Sequence, residues 1–210
     1  MEMSRKAFLG ALESVLPAVG GKGLEQSLVA LGPARIRAHN EYLSIVTPFN
    51  MELAEEVAVE AAPLVQWLRK IDDEIVHLED RGDFLALTAG RKNAKVNLQL
   101  SSLPEPPDHE AGTWLEPCED FLEGLRVCLP HVGNDLVKPA YACLKVNEGF
   151  LYATDGFRVM RYEMDELWAG EILIPSPGAK AVMQYGKRPQ KILDNSSWQQ
   201  YFFGPRDPVI

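Results

Sequence analysis

The sequence predicts an α+β chain of two tandem domains, each with two helices packed on antiparallel strands, and three observations carry that reading. Residues 8–20 read FLGALESVLPAVG and residues 121–133 read FLEGLRVCLPHVG, so the pattern F-L-x-x-L-x-x-x-L-P-x-V-G recurs 113 positions on. The segments downstream of each copy repeat in the same order. Between the copies lies EPPDHEAGTWLE, residues 105–116, with two prolines, one glycine and four acidic residues against no Lys or Arg. That composition reads as a linker. Periods this long mark duplicated domains and not a solenoid. The boundaries expected are 1–104 for the first domain, 105–116 for the linker and 117–210 for the second domain.

Each element has a local reason. Phe8, Leu9, Leu12, Val15 and Leu16 fall on one helical face, and Pro17 with Gly20–Gly21 ends the helix. In the second copy Phe121, Leu122, Leu125, Cys128 and Leu129 do the same, closed by Pro130 and Gly133. Residues 28–46 read as two strands around a Gly-Pro turn, and residues 141–160 repeat that layout with Asn147–Gly149 at the turn. A second helix comes later in each half, 63–71 and about 177–185, each opened by a proline that suits a first helical turn. Strand pairs come next: EIVHLED with DFLALTAG, then KILDN with WQQYFFG. After Gly90 the first half continues into an alternating strand, Ala94 to Ser101, whereas Gly204 is followed only by PRDPVI. The second domain is therefore expected to lack most of its last strand. Either the chain is a fragment or another segment completes that sheet.

Composition narrows the function. A hydrophobic content of 46% over 210 residues fills ordinary cores. No apolar run approaches the ~20 residues of a membrane span, and the polar start at Met1–Lys6 does not resemble a signal peptide. Cys118, Cys128 and Cys143 lack metal-ligand spacing and read as reduced thiols of a cytoplasmic protein. The net charge of −9 argues against a protein that grips nucleic acid over most of its surface, though not against one with a single basic face.

Catalytic patterns are missing from the sequence. It contains no G-x-x-x-x-G-K-[ST], G-x-S-x-G, H-E-x-x-H or C-x-x-C. Cys128 and His131 are close in sequence, but a helical thiol near a helix-end histidine reads as packing. Asp155 reads as a turn residue. Asn195-Ser196-Ser197 fits a glycosylation pattern that an intracellular chain would not use. No enzymatic activity and no cofactor are expected.

The repeat layout and the run ATDGFRVM, Ala153–Met160, resemble the bacterial sliding clamps, the processivity subunit of the replicative DNA polymerase, whose middle domain carries a T-D-G-H-R-L-like run. EILIPSPGAKAVM resembles that domain's strand entering its second helix. VQWLRKIDDEIVHLED through GRKNAKVNLQLSSLP resembles the family's first domain. The chain departs from the family in having two such domains at most where the family has three, and Phe157 stands where histidine is usual.

The resemblance implies two clamp-type domains whose helices line a hole and whose sheets form the rim. Duplex DNA would pass through without sequence reading, held by weak phosphate contacts. Candidate lining residues are Arg5, Lys6, Arg69, Lys70, Lys180, Lys187 and Arg188, with Lys22 matching a basic loop position of the family. The plainer reading of these is the solvated face of amphipathic helices. Thr154, Gly156, Phe157, Arg158 and Val159 match the run beside which the family captures short peptides of polymerase and clamp loader. Their plainer reading is a tight Asp-Gly turn with Phe157 and Val159 packed inward. A homo-oligomeric ring, for instance a head-to-tail trimer, would close through strand edges. A competing expectation is a clamp-like module that binds replication proteins without encircling DNA. It is favoured by the acidic helix carrying Glu119, Asp120 and Glu123.

Overall fold

The computed structural model describes residues 1–20, 27–40, 42–100, 102–105, 113–134, 138–165, 171–194, 199–204 and 207–210. Lys22, most of the stretch 105–116 and Asn195-Ser196-Ser197 lie outside the described residues. The chain divides into two compact units, Met1–Pro106 with Pro205–Pro208, and Pro107–Gly204 with Val209–Ile210.

In the first unit β1 (Glu2–Ser4) leads directly into α1 (Arg5–Val15). Ser4 caps the helix by accepting from the Ala7 amide at 3.4 Å. Phe8, Ala11, Leu12 and Val15 form its buried face. Burial of Phe8 and Leu12, both fully inaccessible, stabilises the unit by about 1.5–3 kcal/mol each. Pro17 turns the helix into one 3-10 turn, Leu16–Ala18, and then out of helix. Next come β2 (Leu28–Leu31), β3 (Arg35–His39), β4 (Ser44–Pro48), β5 (Val57–Glu60) and α2 (Ala61–Lys70). β6 (Ile75–Asp80), β7 (Phe84–Ala89) and β8 (Lys92–Gln99) complete the unit.

Its eight strands form one sheet in the order β1-β6-β7-β8-β5-β2-β3-β4. Alternation puts Leu85, Leu87 and Ala89 of β7 and Val76 and Leu78 of β6 inside. The long strand β8 joins the two halves. It pairs with β7 from Lys92 to Asn97, then with β5 through Leu98↔Val59 and Gln99↔Ala58.

The second unit repeats the plan with shorter strands. Its elements are β9 (Thr113–Leu115), α3 (Phe121–Cys128), β10 (Cys143–Asn147), β11 (Phe150–Thr154), β12 (Val159–Glu163), β13 (Ile172–Pro175), α4 (Ser176–Tyr185), β14 (Lys191–Asp194) and β15 (Gln199–Phe202). They form two sheets, β12-β11-β10-β13 and β15-β14-β9. The β10–β11 hairpin turns at Glu148 and Gly149, with φ of 50° and 80°, as a tight mirror-image turn requires. Gly186, left-handed at φ 73°, stops α4.

Several strands differ from the sequence reading. Residues 28–46 and 141–160, each read as two strands, contain or begin three, because β4 pairs with β3 and β12 with β11 as a further antiparallel strand in each half. β1, β5 and β9 are three or four residues long, too short to show a period in sequence. No described strand of the second unit matches the full length of β8. Val209 forms an isolated bridge to Phe202, and Tyr201 and Ile210 exchange backbone hydrogen bonds of 2.7 and 3.1 Å.

Candidate functional site

The run Thr154–Val159 is built as a self-bonded turn between β11 and β12. Thr154 Oγ1 donates to the Arg158 carbonyl at 2.8 Å and accepts from the Gly156 amide at 3.0 Å. Asp155 Oδ1 accepts from the Phe157 and Arg158 amides at 3.0 and 3.1 Å, and its Oδ2 accepts from Arg158 Nε at 2.9 Å. The Phe157 amide, followed by the Arg158 side chain and amide, holds the Asp155 carboxyl below its usual range. Gly156 has φ 89°, and a Cβ there would lie 3.0 Å from the Tyr141 ring. Only glycine satisfies both the left-handed backbone and that close approach. Gly133, from the end of the repeat motif, donates to both Tyr141 and Thr154 carbonyls and so ties the turn to the α3 end.

This turn pushes its apolar side chains out. Phe157 is 99% exposed and Val159 is 71% exposed. Both were expected to pack inward on the plainer reading, and the structure overturns that, because the Asp155 and Thr154 bonds fix the turn with β12's odd residues facing water. On the same outward face the ladder places Tyr152 opposite Arg161, with Phe150 one pair further along. The Arg161 guanidinium lies 4.6 Å from the Phe150 ring centroid. Tyr152, Phe150 and Arg161 had escaped the sequence reading, although the half-buried alternation of FLYAT was their signal.

The predicted basic residues divide into two kinds. Lys6, Lys70 and Lys180 are exposed on α1, α2 and α4, and no ion pair joins them to another described residue. The arginines are engaged. Arg5 Nη1 donates to the Leu68 carbonyl at 3.2 Å, near the end of α2. Arg69 donates twice to Glu13 Oε1, at 3.0 and 2.8 Å, locking α2 to α1. Arg188 donates to the Pro117 carbonyl at 2.7 Å. Lys187 lies 5.4 Å from the Tyr185 ring centroid. On α3 Arg126 is forked onto Glu123 through two hydrogen bonds, one of 2.8 Å, and this bonding holds the Glu123 carboxyl below its ordinary range.

Cys128 and His131 do not work as a pair. The buried thiol points to the Leu151 carbonyl at 3.5 Å, while His131 Nδ1 lies 3.2 Å from the Val127 carbonyl. Burial pushes the Cys128 thiol up to about 11, the reverse of an activated nucleophile. All three cysteines are free thiols. Among the described residues no cluster could hold a metal ion, and no helix is long and apolar enough to cross a membrane.

No family model matches the sequence, and no curated protein matches it. Solved structures do match. The DNA polymerase sliding clamp of Pseudomonas aeruginosa superposes with a TM-score of 0.82 at 18% identity, over 100% of this chain and 62% of that one. The clamp of Bacillus subtilis gives 0.81 at 13% identity, covering 99% and 62%. The Helicobacter pylori beta clamp, solved with 3,4-difluorobenzamide, gives 0.81 at 11%, covering 100% and 63%. Identities this low carry the fold alone, and from end to end this chain has the fold of the bacterial DNA polymerase sliding clamps, spanning about 62% of the length of those it matches.

Proposed function

We propose that the chain is a non-catalytic sliding-clamp protein, which holds a replicative polymerase on duplex DNA. The observation that carries this is the end-to-end superposition on clamps at a TM-score of 0.82. DNA would meet the helices, where Lys6, Lys70 and Lys180 are exposed cations without an ion pair to another described residue, as part of a cytoplasmic homo-oligomeric ring. Three lysines with no described ion-pair partner suit loose, sequence-independent phosphate contact, and a ring that holds DNA by topology requires nothing stronger. Arg5, Arg69 and Arg188 have structural partners and contribute less. Phe157 and Val159, held outward by the Thr154–Arg158 turn, would take an apolar residue of a short peptide from the polymerase or clamp loader.

Retention on DNA tests the encircling claim. The full chain, loaded on nicked circular DNA by its loader, should elute with the circle and be lost when the DNA is linearised. Equal retention on circle and line overturns encirclement.

One observation favours a second reading, a clamp-like module that binds replication proteins only. The exposed face of α3 carries Glu123 with Arg126 spent on it, so that helix offers DNA no free cation. If charge reversal at Lys6, Lys70 and Lys180 together leaves polymerase processivity unchanged, this second reading replaces the first.

A further inference from the structure

Residues 102–105 lie along one face of the first unit's sheet without joining it. The register sets that face. Ala30 of β2 stands opposite Arg37 on β3 and opposite Ala58 on β5, so Ala30, Arg37 and Ala58 point to the same side. Leu103 packs there with Leu28, Ala30 and Ala58 and is 5% exposed. Among the described residues no backbone–backbone hydrogen bond holds 102–105 to the sheet. Side chains hold this strap instead. Arg37 Nη2 donates to the Leu103 carbonyl at 2.9 Å, and Nη1 donates to the Pro104 carbonyl. Arg35 Nη2 donates to both oxygens of Glu105, each at 3.0 Å.

The cations that hold the strap do not depend on it for their charge balance. Both Glu56 oxygens accept from Arg37 Nε, at 3.1 and 2.9 Å, and Glu56 also lies 3.6 Å from Arg35 Nε. Lifting the strap would take Glu105 from both arginines and leave Glu56 on both. Neither guanidinium would then lack a carboxylate, which is the condition that makes breaking a buried ion pair costly. The β2–β3 and β2–β5 ladders run between other residues and need not open.

We propose that 102–105 is a releasable strap, with Leu103 as its plug and Glu105 as its ionic key, which opens while the first unit's sheet stays folded. Closed, it fixes where the chain leaves the first unit, which ends at Pro106. Open, it frees that exit and bares Leu28, Ala30 and Ala58. Such an opening is local and lies below global unfolding in free energy. It concerns the first unit by itself, and its test uses no DNA.

A thiol beneath the plug reads the opening. In the full chain carrying Ala58→Cys, iodoacetamide labelling is followed at that position by peptide mass spectrometry, which separates it from the native Cys118, Cys128 and Cys143. Ala30→Cys is the second probe should the first fail to fold. Well below the urea midpoint the labelling rate should be nearly independent of urea, because a local opening exposes little surface. Glu105→Gln should raise the rate about two- to fivefold, the range of an exposed ion pair, and about 0.5 M NaCl should erase that difference. Leu103→Ala should raise it roughly tenfold or more through loss of the plug. Labelling that follows urea with the slope of global unfolding would overturn the proposal, since the strap would then be a fixed part of the core. So would rates that Glu105→Gln and Leu103→Ala both leave unchanged.

Discussion

Arg37 is 3% exposed within β3, and its Nε donates to both oxygens of Glu56, at 3.1 and 2.9 Å. The same guanidinium donates to the Leu103 carbonyl at 2.9 Å and to the Pro104 carbonyl, fastening the segment beyond β8. Such a group is stable only while its partners are present, because an unpaired buried charge is costly. Glu56→Ala, which leaves the buried cation with the mostly exposed Glu105, 3.2 Å from its Nη2, as its remaining carboxylate, should destabilise the first unit by about 1–3 kcal/mol. Arg37→Met, which leaves a partly exposed carboxylate, should cost less than half of that. Urea unfolding of both variants checks the order. Equal losses would mean that packing, and not charge pairing, sets the effect.

Gly10 and Gly124 should respond oppositely to alanine. Nothing lies within 4 Å of a Cβ at Gly10, in the middle of α1. Gly10→Ala should therefore stabilise by about 0.5–1 kcal/mol through helix propensity. At Gly124 the new Cβ would stand 3.1 Å from Tyr162 and 3.3 Å from Leu151. Gly124→Ala should destabilise by about 1–3 kcal/mol as α3 is pushed off the sheet. Thermal melting reads both.

The turn at Asp155 should loosen in acid. Its folded pKa lies below the ordinary 3.8, so its contribution is fully present above that value and is lost as pH falls through the lower folded value. The protection of the Phe157 and Arg158 amides, taken relative to their intrinsic exchange rates at each pH, should fall once the pH drops below the ordinary carboxylate value of 3.8. Asp155→Ala should exchange rapidly at every pH. A wild-type profile without an acid limb would show that Thr154 alone holds the turn.

Phe157→Ala should leave stability within about 0.5 kcal/mol of the wild type, since the ring is 99% exposed. If the turn takes partner peptides as proposed, the same variant should weaken polymerase-peptide binding tenfold or more, as loss of an aromatic anchor does. Fluorescence anisotropy with a labelled peptide measures it. Unchanged affinity would remove Phe157 from the proposed site.

Thiol labelling at pH 8 should follow burial. Cys128 is fully buried with its thiol raised to about 11, while Cys143 is half-buried and raised by the same cause. Iodoacetamide should modify Cys143 in the native state well before Cys128. Reversed order would mean that α3 opens more readily than its packing indicates.

The repeat was the most legible part of the sequence, because a helix with five apolar positions and a terminal proline leaves a pattern that survives divergence. The strands joined by marked turns, such as Asn147–Gly149, were legible for the same reason. β1, β5 and β9 were not, since three or four residues cannot display a period and tertiary pairing decides them. At the site, the residues of the turn could be named from sequence, but the direction of Phe157 and Val159 could not. It depends on strand register, and a shift of one residue reverses every side chain. The basic residues show the same limit. Charge on a helix is readable, whereas the carbonyls and carboxylates that occupy Arg5, Arg69 and Arg188 come from distant positions.

The two units share a ladder register, in which Leu87↔Ala94 corresponds to Phe202↔Val209, and this has a kinetic side. β8 carries Ala94, Val96 and Leu98 at alternate positions, and the edges of β7 and β15 present the same spacing to it. Geometry alone would let β8 add to the wrong copy while the chain is collapsing, and tandem repeats are prone to such misassembly. Side-chain identity distinguishes the copies: Phe84, Leu85, Ala86 and Leu87 on β7 stand 115 positions before Gln199, Gln200, Tyr201 and Phe202 on β15. The polarity of the two ladders therefore differs at matching positions, Gln199 and Gln200 against Phe84 and Leu85, so a β8 misplaced on β15 would lose the apolar neighbours it has on β7.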